Sequence, residues 1–253
     1  MLYDTGNKML VPSGITIDSL FEKKYISLRQ KEQRIYSDEE VFNLPVVSLN
    51  DPHYKEWKAR QRSCKRLVSY LEEKHRPLKI LEIGCGNGWL SHRLSAISGA
   101  FVTGADINLF ELRQATRVFG AVPGLQFIYG SLDSDELNDN YFDVVVYAAS
   151  IQYFPSLTTT INQSMKLLKP GGEIHILDSH FYQIDEVAPA SQRTESYFRE
   201  LGFPEMAGRY FHHCINELKP FDHKVHYKPF PFASFFQRTV NPFTWLSIKK
   251  DQQ

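Results

Sequence analysis

Leu78-Lys79-Ile80-Leu81-Glu82-Ile83-Gly84-Cys85-Gly86-Asn87-Gly88 is the stretch whose reading decides the fold. Residues 78–83 are an apolar run of the kind that forms a strand buried on both faces, and three alternating glycines follow it. Beyond them Leu90, Leu94 and Ile97 share one helical face, and Gly99 stops the segment. A strand, a glycine loop and a helix in that order make one unit of a parallel sheet, and the loop sits where such sheets place a ligand. Glycine admits positive φ and carries no Cβ, so backbone can approach a ligand there, and free N–H groups at the helix start favour an anionic group. Alone, the loop indicates either a nucleotide-like cofactor or a tight turn packed for its own sake.

The alternation continues downstream. Residues 101–105 read as a second strand ending at Asp106; Asn108 and Glu111 then resemble a helix-capping pair, and Leu109, Leu112, Thr116 and Phe119 carry the helix to Gly120. Residues 125–129 and 142–147 are the third and fourth strands. A helix with Leu157, Ile161, Met165 and Leu168 follows, and Lys169-Pro170-Gly171-Gly172 turns into a fifth strand at 173–177. The pattern predicts an α/β fold with a doubly wound, mostly parallel sheet. Upstream, Trp57, Cys64, Leu67, Val68 and Leu71 lie on one face of a helix that has ended by Pro77. Residues 1–53 mix short apolar clusters with Gly6, Pro12, Gly14, Pro45 and Pro52 and show no long period; they read as an N-terminal extension acting as a cap on a domain spanning 54–253. Beyond Asp178 a helix runs to Gly202, and residues 224–228 and 244–249 are late strand candidates.

Composition narrows the function classes. Lys plus Arg and Asp plus Glu each number 29, so no basic excess points to nucleic acid. The longest apolar stretch, residues 144–149, is far short of the roughly 18 residues that suggest a membrane span. Without a basic start followed by an apolar core, the first residues do not read as a secretory signal, and a cytoplasmic protein is expected. Cys64, Cys85 and Cys214 are scattered and lack metal-ligand spacing, which predicts reduced thiols and no metal site.

Asp106 stands about 20 residues after the loop, where a carboxylate accepts hydrogen bonds from both hydroxyls of an adenosine ribose. NAD and S-adenosylmethionine share that ribose. Here the chain resembles the class I S-adenosylmethionine-dependent methyltransferases over roughly residues 54–180, and in particular the broad group acting on small molecules. The segment from Leu81 to Gly88 looks like the family's first motif, with an acidic residue two before the first glycine and G-x-G-x-G spacing, where dinucleotide folds prefer G-x-G-x-x-G. Phe142-Asp143-Val144-Val145-Val146 looks like the family's fourth strand, and Leu167-Leu168-Lys169-Pro170-Gly171-Gly172-Glu173 like its entry into strand five. The resemblance implies a seven-stranded Rossmann-like sheet and S-adenosyl-L-methionine as cofactor, leaving S-adenosyl-L-homocysteine as product. It also implies that Gly84, Cys85, Gly86 and Gly88 lie around the methionine part, with Glu82 orienting the loop or reaching the ammonium through water. Asp106 holds the ribose in this reading, Ile107 packs on the adenine, Ser131 and Leu132 line its edge and other side, Ala148 offers backbone to the methionine end and Tyr153 closes the pocket. The family often has an acidic residue where Ser131 stands.

Methyl transfer from a sulfonium needs no metal, because in-line orientation of the nucleophile supplies several kcal/mol. A base helps when the acceptor is a hydroxyl; His180 is the candidate, beside Tyr153, whereas His212, His213, His223 and His226 have no metal-site spacing. After strand four, residues 147–153 lack the Asn- or Asp-Pro-Pro-aromatic motif of nucleobase amino methylation, so a small-molecule acceptor is expected, roofed by Tyr25, Tyr36, Phe181, Tyr182, Tyr210 and Phe211. Three readings stand at this point: a small-molecule methyltransferase, an NAD-dependent oxidoreductase on a related sheet, and a non-catalytic cofactor-binding or partner protein.

Overall fold

The computed structural model describes residues 2–3, 9–12, 19–229 and 241–252 of the 253-residue chain. Gly6 and Gly14, two of the residues that punctuate the extension, lie outside them. Two short strands, β1 (Leu2–Tyr3) and β2 (Met9–Val11), precede helices α1 (Ser19–Lys31), α2 (Asp38–Asn43) and α3 (Tyr54–Glu72). The alternation follows: β3 (Leu78–Ile83), α4 (Trp89–Ser95), β4 (Ala100–Asp106), α5 (Leu109–Phe119), β5 (Leu125–Tyr129), β6 (Phe142–Ala148), α6 (Leu157–Leu167) and β7 (Leu168–Ser179). The chain then runs through α7 (Ile184–Glu200), β8 (His223–Tyr227) and β9 (Thr244–Lys249).

Among the described residues, nine strands join one sheet in the order β1-β2-β5-β4-β3-β6-β7-β9-β8. Five central strands, β5 to β7 in that order, are mutually parallel, and β9 returns antiparallel against β7. The seven expected strands are all present. The two additional ones come from the N-terminal extension, where β2 pairs parallel with β5 through Met9↔Phe127 and Leu10↔Ile128; the extension is thus part edge strand as well as cap. It also holds α1 and α2, which the sequence reading left as irregular. The signals were short ones: Phe21, Tyr25 and Leu28 at helical spacing, and Ser37-Asp38-Glu39-Glu40, which closes as a capping box on α2. A further difference lies at residues 169–172, expected as a turn. They form the irregular opening of β7, where pairing with β6 shifts between Phe142 and Val144.

The strands read as continuous apolar runs because helices cover both faces. Ile80, Val144 and Val146 pack with Leu67 and Leu71 of α3 and Leu90 and Leu94 of α4, while Leu81, Val145 and Tyr147 pack with Leu157 and Ile161 of α6. This two-period alternation fixes the register, so the strand ends of β3, β4 and β6 fall on one edge and carry the loops of the site.

Gly88 belongs to this packing. It takes φ +76° before α4, and a Cβ there would meet Phe127 at 2.7 Å and Ala115 at 2.9 Å, both in the core beneath the loop. Its missing side chain lets α4 start against β5 and α5, and the residue does not line the cleft described below. Gly88→Ala is therefore expected to lower unfolding free energy by about 2–5 kcal/mol, from left-handed backbone strain and overpacking. Urea denaturation of the free protein checks this; an unchanged midpoint would contradict the assignment to packing.

Candidate active site

A cleft of about 250 Å³ opens at the carboxyl ends of β3, β4 and β6. Glu82, Gly84, Cys85, Gly86, Asp106, Ile107, Ser131, Ala148 and Tyr153 line it, so most of the residues singled out from sequence converge. Gly88 and Leu132 are absent from the lining. Leu132 is 7% exposed and packs in the core on the α6 side.

The glycine loop is tied to the end of β4. Gly84 N–H and Cys85 N–H donate to the Ala105 carbonyl at 2.8 and 3.2 Å, and Gly86 N–H donates to Asp106 Oδ2 at 2.7 Å. Gly88 N–H closes the turn onto Cys85 O at 3.0 Å. The other Asp106 oxygen, Oδ1, accepts from Asn108 N–H at 2.8 Å. The loop was expected to offer free N–H groups to an anion; four of them are instead engaged internally.

Acidic groups surround the loop. Glu82 is buried and accepts from Ser91 Oγ at 2.5 Å; burial pushes its carboxyl up to about 8. Glu111, read from sequence as half of a capping pair, does have its N–H bound by Asn108 Oδ1 at 3.1 Å, but its carboxyl turns into the cleft. Its Oε2 stands 3.0 Å from where a Cβ on Gly86 would lie. Burial, and then the nearby Asp106 charge, push Glu111 up to about 7. Burial also raises Asp106, against the N–H bonds from Gly86 and Asn108. The buried Nδ2 of Asn108, which lines the cleft, has no hydrogen-bond partner, and Ile107 leaves half of its apolar surface exposed beside it. Ser131 is engaged otherwise than expected: its hydroxyl donates to Asp133 and its N–H to Ser134 Oγ.

Three carboxyl groups, a loop with few spare donors, one orphaned amide and an open apolar shelf fit a cationic adenosine cofactor. They do not suit a pyrophosphate, which needs the N–H groups already spent.

A second cavity, about 450 Å³, adjoins the first, and Tyr25, Arg29, Arg34, Arg60, Ala149 and Tyr153 line both. Arg29 of α1 donates from Nη2 to Tyr25 Oη at 2.9 Å and Tyr153 Oη at 3.0 Å, which places Tyr153 at the junction. His180 lines only the second cavity, its ring 4.8 Å from that of Phe243, and burial lowers its pKa. Of the expected acceptor lining, Tyr25, Tyr182 and Tyr210 face this cavity and Tyr36 the first. Phe181 instead packs on the core, and Phe211 lines neither. The three arginines at the junction were missed from sequence, because they stand in segments with many charges and only the fold brings them together. Backbone strain gathers here as well: Ala149 and Asp178, one residue past the end of β6 and one before the end of β7, take φ 54° and 56°, a conformation non-glycine residues keep only when their surroundings enforce it.

Residues 80–172 match a family model described as a methyltransferase domain. Over that segment, which holds the glycine loop and Asp106, the chain is similar to methyltransferase domains. Over 122 residues it is 32% identical to the malonyl-[acyl-carrier protein] O-methyltransferase of Halalkalibacterium halodurans, covering 45% of each chain. A longer match, 27% identical over 203 residues, covers 80% of this chain and 78% of the demethylmenaquinone methyltransferase of Chlorobaculum tepidum. Several of the curated relatives are thus matched over less than half of their length, including two sterol 24-C-methyltransferases of Gibberella zeae at 26%. Among solved structures, the magnesium protoporphyrin IX methyltransferase of Synechocystis shares the fold, with a TM-score of 0.57, 16% identity and coverage of 92% of this chain and 100% of that one.

The tie between Asp106 and the loop changes what its removal does. Asp106→Ala leaves the Gly86 and Asn108 N–H groups without their partner, so the free protein is expected to lose about 1–3 kcal/mol of stability. Asp106→Asn, which retains one acceptor oxygen, should lose less. Thermal unfolding of the free protein and both variants separates the cases; three equal melting temperatures would show that the tie contributes nothing.

Proposed function

We propose that the protein transfers the methyl group of S-adenosylmethionine to a small-molecule acceptor held in the second cavity. The observation that carries this reading is the internally satisfied glycine loop ringed by Glu82, Asp106 and Glu111, which favours a cation over the pyrophosphate of NAD. The domain family supports it. When bound, the cofactor supplies a methyl group activated by positively charged sulfur. The chain's own part is to bind and orient. Asp106 holds the ribose hydroxyls, Ile107 and Asn108 receive the adenine side, and Glu82 and Glu111 face the cationic end. Backbone at Ala148 and Ala149 supports the methionine end near the junction, and Tyr153 closes it. Residues 19–53 act as the cap, with α1 walling the second cavity. His180, held neutral by burial, lines that cavity as the candidate proton acceptor for a hydroxyl acceptor. Among the described residues no helix is long and apolar enough to cross a membrane, and no group of His, Cys, Asp and Glu has the makings of a metal site. The balanced charge supports an acceptor other than nucleic acid, and the three free cysteines a reducing compartment such as the cytoplasm.

Calorimetry with S-adenosylmethionine, S-adenosylhomocysteine and NAD tests the reading; binding of NAD in place of the other two would overturn it. Asp106→Ala should weaken S-adenosylhomocysteine about 10- to 150-fold, the equivalent of about 1.5–3 kcal/mol of charge-assisted bonding.

The sign of the pH dependence follows from the raised acids. Glu111 at about 7 and Glu82 at about 8 hold protons in the free protein near neutrality. A cation beside them stabilises the ionised form, lowers both pKa values and expels protons. Affinity for S-adenosylmethionine should therefore rise from pH 6 to pH 8, and more steeply than for the product, which lacks the sulfonium charge. Proton release appears in calorimetry as a binding enthalpy that varies with buffer ionisation enthalpy; a buffer-independent enthalpy would rule the linkage out.

A further inference from the structure

Arg29, Arg34 and Arg60 stand where the two cavities adjoin and line both. The first gathers Glu82, Asp106 and Glu111 at the strand ends. Along the second runs an alternating chain of ion pairs. Arg60 Nη2 lies 2.8 Å from Glu56 Oε1, and Arg34 Nη2 lies 2.7 Å from Glu56 Oε2. From Arg34 Nε the chain continues to Glu32 Oε2 at 3.7 Å, and Arg29 Nη1 reaches that same oxygen at 3.0 Å. Three guanidinium groups thus share two carboxylates, leaving one positive charge in excess in a partly buried wall. Burial opposes ionisation of Glu56, but Arg60 and Arg34 outweigh it and lower its pKa to about 2, so both ends of that pairing are charged.

One further group on this lining increases the excess. Arg193 of α7 is exposed at the cavity and forms no ion pair with any described residue. Asp178, the remaining acid, is raised by burial against the charge of Arg60, and it accepts from Ser63 Oγ at 2.5 Å. Leu28, Phe198, Met206 and Phe243 add apolar surface to the same lining.

We propose that the second cavity selects an acceptor bearing a single carboxylate on an apolar or aromatic skeleton, with the carboxylate set against the Arg29–Arg34–Arg60 chain and Arg193. An excess of one to two positive charges matches a monoanion; Glu56 occupies the forks of Arg34 and Arg60, so the planar, two-bonded contact to a carboxylate falls to Arg193, with the arginine chain supplying the field. This inference rests on the methyltransferase reading, and the experiment separates the two.

The full chain, saturated with S-adenosylhomocysteine, is titrated with benzoate, phenylacetate and cinnamate and with the three corresponding amides. At least one acid is expected to bind about tenfold or more tightly than its amide. That preference should shrink when salt is raised to about 1 M, where the Debye length is about 3 Å, and again in Arg193→Gln. Arg193 is exposed and outside the cofactor cleft, so the variant should keep normal stability and S-adenosylhomocysteine affinity. Binding of S-adenosylhomocysteine with no acid preferred over its amide would overturn the inference alone. So would a preference untouched by both salt and Arg193→Gln, and tighter binding of phenyl phosphate than of any of the acids would overturn the carboxylate assignment. Failure of S-adenosylhomocysteine to bind would overturn both this inference and the reading beneath it.

Discussion

The site depends on one constraint: the glycine loop after β3 is fastened to the end of β4. Ala105 O and Asp106 Oδ2 take the N–H groups of Gly84, Cys85 and Gly86, so two adjacent strands and the loop between β3 and α4 move as one piece. This fastening sets the shape of the cleft floor and determines its chemistry. Backbone donors that would otherwise receive a phosphate are consumed, and the carboxyl groups that consume or surround them leave the floor acidic. The same side chain serves structure and recognition, which is why a carboxylate at that strand end has more than a ligand to lose.

Above this floor the cap supplies what the sheet does not. Arg29 of α1 joins Tyr25 and Tyr153 and ends the ion-pair chain that begins on α3. The helix is also fixed at its edges, by Glu22 accepting from Phe110 N–H at 2.7 Å and by Lys31 donating to Leu201 O at 2.7 Å. These contacts are polar and partly solvent-exposed, hence individually modest, whereas the sheet below is held by fully buried aliphatic packing. A small apolar cluster of Leu28, Phe198 and Met206, with Phe21 and Tyr25 against it, adds to the hold on the cap.

The sheet was legible in the sequence because its signal is repeated. Six strands keep within a residue or two of where their apolar runs place them, and Asn108 caps α5 as its spacing indicates. The converging cleft residues were legible through the order of motifs. What escaped was of another kind. α1 and α2 are strongly charged helices whose inward residues are few, so periodicity was too thin to stand out from the prolines and glycines around them. Glu111 was read for its backbone role, which it has, while its side chain serves a different purpose; no spacing rule distinguishes the two. Gly88 follows the motif yet answers to Phe127 and Ala115, a contact between residues distant in sequence. The arginine chain links residues from positions 29 to 60 through partners that only tertiary structure places side by side.

The wall between the two cavities is built largely from α1 and the turn after it, close to the start of the chain and outside the alternating strands and helices. Architecture of this kind is modular. Changes in length or composition before residue 35 can reshape the second cavity while the strand ends, and the fastening that fixes the donor site, stay as they are. A lineage built on this plan can diverge in what it accepts by rewriting one helix, without reinventing how it holds its methyl source.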